Sequence, residues 1–144
     1  MDGLAIHLAL HGALVLTVSV LGGLMVYVSI LRKGNVTGWH VVHAGGSARG
    51  ILLIALAAII RLPVLPDWKL STMAWLLIVF AWTTMLAMII AAATGERGLG
   101  FKGSGTNRVV WVLYAVGTVA VFPGCILLIH GLLNALWPQL HLGA

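Results

Sequence analysis

Four apolar runs, at about 4–31, 41–60, 72–94 and 109–137, dominate this chain. Each reaches the roughly 20 residues a helix needs to cross the hydrocarbon core of a bilayer. None shows the period-two alternation of a barrel strand, and all are far longer than one, so the runs predict helices. In a bilayer every backbone polar group must be satisfied within the protein, and a helix does this within one segment. The expected fold is therefore an all-α integral membrane protein, with four transmembrane helices in an up-down bundle and residues 1–144 as a single domain. Composition points the same way, because only 8% of the residues are charged and 61% are apolar. A soluble domain carries about 25% charged residues. That excludes a cytosolic enzyme, a disordered regulator and a nucleic-acid partner. The first run follows Asp2 rather than a basic segment and exceeds the length of a signal-peptide core, so it reads as a span.

The net charge of +5 comes from 8 basic and 3 acidic residues with no basic run. Arg32 and Lys33 lie in the first connector and Arg97, Lys102 and Arg108 in the third, against Arg61 and Lys69 in the second. Connectors one and three share a side of an up-down bundle. The positive-inside rule then puts both tails outside the cytoplasm. Connector three is glycine-rich, but it lacks Walker spacing and a preceding strand, so it reads as a flexible interfacial turn. Trp39, Trp68, Trp111 and Trp137 fall near the span ends, where indole rings prefer the headgroup layer. The single cysteine, Cys125, excludes a disulfide framework within the chain.

Ionisable groups within spans are costly and mark functional candidates. Here they are His7, His11, His43, Arg49 and His130, with no carboxylate among them. That argues against two-carboxylate hydrolysis and carboxylate proton relays, and it leaves Arg49 without an ordinary ion partner. At 1.5 Å per residue, His11 lies about 30 Å from the side of the membrane where His43 enters, so the histidines form two layers. His7 and His11, spaced i and i+4, are expected to be polar contacts between helices, as is His130. In the second span, His43, Gly46, Ser47 and Gly50 share one helix face. This strip suits close helix packing through its small residues, or equally a flat macrocycle beside an axial imidazole. Arg49 lies about 9 Å deeper than His43 and is turned some 120° from it, so it reaches around a ligand edge but does not stack above the imidazole.

Gly38, Trp39, His43, Ala48 and Gly50 in the second span resemble the styrene oxide isomerase family of small membrane enzymes. His11-Gly12 in the first span resembles it too, as does Arg97-Gly98-Leu99-x-Phe101 running on to Gly124. The resemblance implies a homotrimer with haem b near subunit contacts, His43 as the iron ligand, and Gly46, Ser47 and Gly50 beside the ring. Arg97 and Arg108, at the level of His43, are then candidates for the haem propionates. It implies an iron Lewis acid that opens an epoxide, followed by a 1,2-hydride shift to an aldehyde. Two family positions are changed. An Asn six residues after the axial His is Arg49 here, and a Tyr of the third span falls on Met88. The expectation is thus a haem-b-dependent isomerase acting on a small hydrophobic substrate drawn from the lipid membrane, with Arg49 stabilising the substrate oxygen. A bacterial inner membrane is the expected location. The alternatives are a non-catalytic haem protein, for electron transfer or sensing, and a haem-free membrane subunit or small transporter.

Overall fold

The structure is a computed structural model describing residues 2–142, with side chains described for residues 3–137. It contains four helices: α1 (Asp2–Leu31), α2 (Val36–Ile59), α3 (Asp67–Thr94) and α4 (Gly105–Leu142). All four are long and apolar enough to cross a membrane, and no strand occurs among the described residues. The chain is therefore a multi-pass membrane protein. The expected all-α, four-span fold is what the structure shows.

Helices α2, α3 and α4 start four to five residues before the apolar runs, because their polar first turns are built by local capping. Asn35 accepts a hydrogen bond from the Gly38 N–H at 2.9 Å and its amide donates to the Ala92 carbonyl at 3.0 Å. One side chain thus caps α2 and ties its start to the end of α3. Pro66 precedes α3, and Asp67 places a negative charge in its first turn, where the helix dipole favours it. At the other end of α3, Gly95 adopts the left-handed conformation (φ 79°) and its N–H returns to the Ala91 carbonyl.

Up-down order brings connectors one and three together at one end. At the opposite end, the Val64 N–H donates to the Gly131 carbonyl and the Asn134 amide to the Val64 carbonyl. The main core lies among α1, α2 and α3 around Leu8, Val15, Leu53, Met73 and Leu77, and a smaller cluster joins Val42, Met85, Met88 and Ala92. Of the other helices, α4 packs along α3 alone among the described residues. Its outer face, including Val119, Phe122 and Ile126, is exposed, as suits contact with lipid.

α1 and α2 approach through backbone. A Cβ on Gly50 would stand 2.8 Å from the Gly12 carbonyl oxygen, and one on Gly12 would stand 2.8 Å from the Gly50 carbonyl oxygen. Such proximity is possible only without side chains at both positions, the small-residue packing that bilayer helices favour.

Candidate functional site on the two faces of α2

His43 leaves α2 towards α1. Its Nδ1 lies 2.9 Å from the Ser19 carbonyl oxygen, and its ring lies against Gly23, where an added Cβ would stand 3.0 Å from Nδ1. A carbonyl only accepts, so Nδ1 is the donor of this bond, and in the neutral imidazole the lone pair then lies on Nε2. Metal-binding histidines are commonly oriented by this kind of bond. Ser19 also donates from Oγ to the His43 carbonyl at 2.6 Å and lies 2.7 Å from Ser47 Oγ. Ser19 thus holds both the backbone and, through its own carbonyl, the imidazole of His43. Nothing in the sequence pattern marked this residue.

The rest of the small strip has a different occupant from a macrocycle. Gly46 is filled by Ser19 and Met85, Gly50 by Gly12 and Leu16, and Ser47 by its contact with Ser19. Within one subunit the strip takes the close-packing alternative. α1 covers it, because the glycines let the helices approach, and a flat ring has no room to lie along Gly46, Ser47 and Gly50. His43 itself is half-exposed at the edge of that seam.

Arg49 leaves α2 towards α3. Its Nη1 donates to the Gly45 carbonyl at 2.6 Å and lies 3.9 Å from Met88 Sδ, while the guanidinium carbon stands 5.2 Å over the Phe80 ring. The Arg49 Nε is buried and has no acceptor among the described residues. Tyr114 of α4 lines, together with Met88, the cavity that lies beside this group. Arg49 and Met88, the two positions where the resemblance implies other residues, are therefore neighbours in space although 39 residues apart. Tyr114 and Phe80 were not singled out by the sequence, since nothing in one sequence gives the rotational setting of α3 and α4 around α2.

Beside this group lies a cavity of about 610 Å³, lined among others by Gly38, Val41, Met88, Ala92, Arg97 and Tyr114. It opens where connectors one and three meet. Arg97 lies on it, beside Glu96, which lines it too. Arg108 instead stands 5.9 Å over the Phe101 ring, which in turn meets Trp111 edge to face at 5.3 Å.

Connector three is tied down rather than loose. The Asn107 side chain accepts from the Gly98 N–H at 2.9 Å and donates to the Gly100 and Lys102 carbonyls, both at 2.8 Å. Gly98 has φ +60°, and a Cβ there would stand 2.5 Å from Val110. The expected flexible turn fails because Asn107, at the start of α4, supplies the partners that the loop backbone needs.

Among the described residues no three His, Cys, Asp or Glu side chains converge. A bare cation would therefore lack ligands, whereas a metal that brings its own macrocycle needs one imidazole. His43 Nε2 suits that demand. His7 and His11 form a separate cluster at the tail side. His11 Nδ1 accepts from the Trp82 indole N–H at 3.0 Å, and both imidazoles lie against Trp75, at 5.4 and 5.9 Å. For His11 this is the interhelical contact expected.

A sequence model of the styrene oxide isomerase family matches residues 4–133. The chain belongs to that family. The match spans all four helices and both faces of α2, so it includes His43, Arg49, Met88 and the Asn107-bound connector. No curated protein matches the chain. As a styrene oxide isomerase family member it falls, at family level, among isomerases of the membrane.

Proposed function

We propose that this protein isomerises small hydrophobic epoxides to carbonyl compounds, with haem b held by His43, as a homotrimer in the bilayer. One observation carries the reading: in a chain of this family, the His43–Ser19 hydrogen bond commits Nδ1 and leaves Nε2 as a ligand nitrogen. When bound, a ferric haem supplies Lewis-acid polarisation of an epoxide oxygen, a chemistry that needs no carboxylate and no added reductant.

The protein's own residues supply position and exclusion. Ser19 fixes the imidazole, and α1 closes the strip beside it, so access to Nε2 runs from the exposed edge of the α1–α2 seam. His43 and Arg49 point to different helices in one subunit. We therefore infer that they act on one ligand only across a contact between copies, consistent with a trimer. Arg97 is the better placed of the two candidate arginines to meet a propionate, since it borders the open cavity. Met88 and Phe80 give the Arg49 face an apolar wall, which keeps water from an electron-poor carbon during rearrangement.

The test is a visible spectrum of the purified protein beside His43→Ala, together with product analysis after addition of styrene oxide. The expected result is a haem band in the wild type, its loss in the variant, and conversion to phenylacetaldehyde by the wild type alone. An unchanged haem band in His43→Ala removes the ligand assignment. A haem-bound wild type inert towards epoxides removes the reaction and favours a non-catalytic haem protein.

A further inference from the structure

Arg49 carries a charge that no carboxylate meets among the described residues. It lies midway along α2, whereas Asp2, Asp67 and Glu96, the three acidic residues, all stand at helix ends. A guanidinium offers five N–H donors in a planar fork. Here Nη1 is taken up by the Gly45 carbonyl, and Met88 Sδ, a weak acceptor, is its other neighbour. On the edge formed by Nε and Nη2, the Nε is buried and has no hydrogen-bond acceptor among the described residues. A cation at the centre of a membrane helix costs about 2.5–3.5 kcal/mol even on insertion scales, so a partner from outside the chain has much to offset.

The geometry of the edge and its surroundings select that partner. Two parallel N–H groups match the two oxygens of a carboxylate, and such bidentate pairs are among the strongest hydrogen bonds in proteins. An epoxide or aldehyde oxygen takes one of these bonds and leaves the charge standing. Phe80 and Met88 flank the guanidinium, so the body attached to the acid must be apolar. The way in is the cavity of about 610 Å³: Met88 lines it and also meets Arg49. Met88, with its flexible thioether side chain, is the movable partition between cavity and guanidinium.

We propose that Arg49, flanked by Met88 and Phe80, is a carboxylate site for a small amphiphilic acid entering through this cavity, so that the protein prefers epoxides bearing a carboxylate over neutral ones. The preference among epoxides rests on the isomerase reading above; the carboxylate site does not. For 3-phenylglycidate the reaction balances without a co-reactant. The benzylic C–O bond breaks, the hydrogen on C2 moves with its electron pair to C3, and the oxygen pair closes a C2=O bond. The product, phenylpyruvate, has the same formula.

Isothermal titration of the purified protein, as isolated, with cinnamate and cinnamamide tests the site apart from any reaction. The expected result is binding of the acid at least roughly tenfold tighter than the amide, about 1.4 kcal/mol. That preference disappears in Arg49→Gln and falls several-fold in Arg49→Lys, which keeps the charge but loses the fork. Arg49→Lys also serves if Arg49→Gln does not accumulate. Equal affinity for acid and amide in the wild type, or an undiminished preference in both variants, overturns the proposal.

Haem propionates are carboxylates too, and a second arm separates the sources. Haem and its dimethyl ester are titrated into wild type and Arg49→Gln. A preference for haem over the ester that vanishes in the variant, without discrimination between cinnamate and its amide, overturns the proposal and reassigns the Arg49 edge to a haem propionate. A third arm compares 3-phenylglycidate with styrene oxide. A kcat/KM ratio favouring the acid in the wild type and falling at least tenfold in Arg49→Gln supports the substrate class, and no such ratio overturns it. If neither epoxide reacts, the isomerase reading and the substrate preference fail together, while the titrations still decide the carboxylate site.

Discussion

The two faces of α2 are built on opposite principles. Towards α1, glycine meets glycine backbone to backbone, and the polar groups of Ser19, His43 and Ser47 satisfy one another. Towards α3 the neighbours are flexible side chains, Met88 among them, around a guanidinium with an unused edge. The first face has one arrangement available to it, and the second has spare room and spare hydrogen-bonding capacity. A helix can thus be anchored along one side and kept adaptable along the other, and in this protein His43 and Arg49 are divided between them.

A glycine pair gives the widest separation between the faces. Gly50→Ala places a methyl 2.8 Å from a backbone oxygen and 2.9 Å from the Leu16 backbone nitrogen. We expect a loss of about 2–4 kcal/mol from overpacking against rigid backbone, visible as a large fall in thermal stability in detergent. Gly45→Ala meets only the ends of Arg49 and Met88, at 2.8 and 2.9 Å. It should leave the melting temperature within a few degrees while weakening cinnamate binding severalfold. Equal damage from both would erase the contrast.

The next effect in size concerns the connector beneath the adaptable face. Gly98→Ala combines φ +60° with a 2.5 Å approach to Val110, and about 1–3 kcal/mol of destabilisation is expected by thermal unfolding. Asn107→Ala removes three loop hydrogen bonds. It should cost about 1–3 kcal/mol and raise protease cleavage within 95–104. If the loop resists cleavage in that variant, the side chain is not what orders it.

The smallest change sharpens the first face. Ser19→Ala deletes the Oγ bonds but keeps the carbonyl that holds His43. A loss of about 1 kcal/mol is expected, with the haem band retained. Disappearance of the band would show that the hydroxyl, rather than the carbonyl, orients the ligand.

Much of this was legible in the chain. Run length and the scarcity of charge gave four spans, and spacing put His43, Gly46, Ser47 and Gly50 on one face. The purpose of that face was not legible, because a small-residue strip suits a helix and a flat ring alike. Helices α2, α3 and α4 begin four to five residues before the runs because apolar runs report the hydrocarbon core, whereas residues such as Asn35 and Pro66 set where helical geometry begins. The pinned connector escaped notice because its partner, Asn107, follows it in the next helix.

By itself the sequence determined the membrane environment, the number of crossings, the depth of each charged group and, through the residues it shares with the family, the family itself. Depth follows from a fixed rise per residue, and a bilayer sorts residues by polarity, so both can be read along one dimension. Which helix each face of α2 meets was decided only by the tertiary structure. Rotation about the helix axes is set by interlocking shapes from distant parts of the chain, and that is what joined His43 to Ser19 and set Arg49 beside Met88 and Phe80.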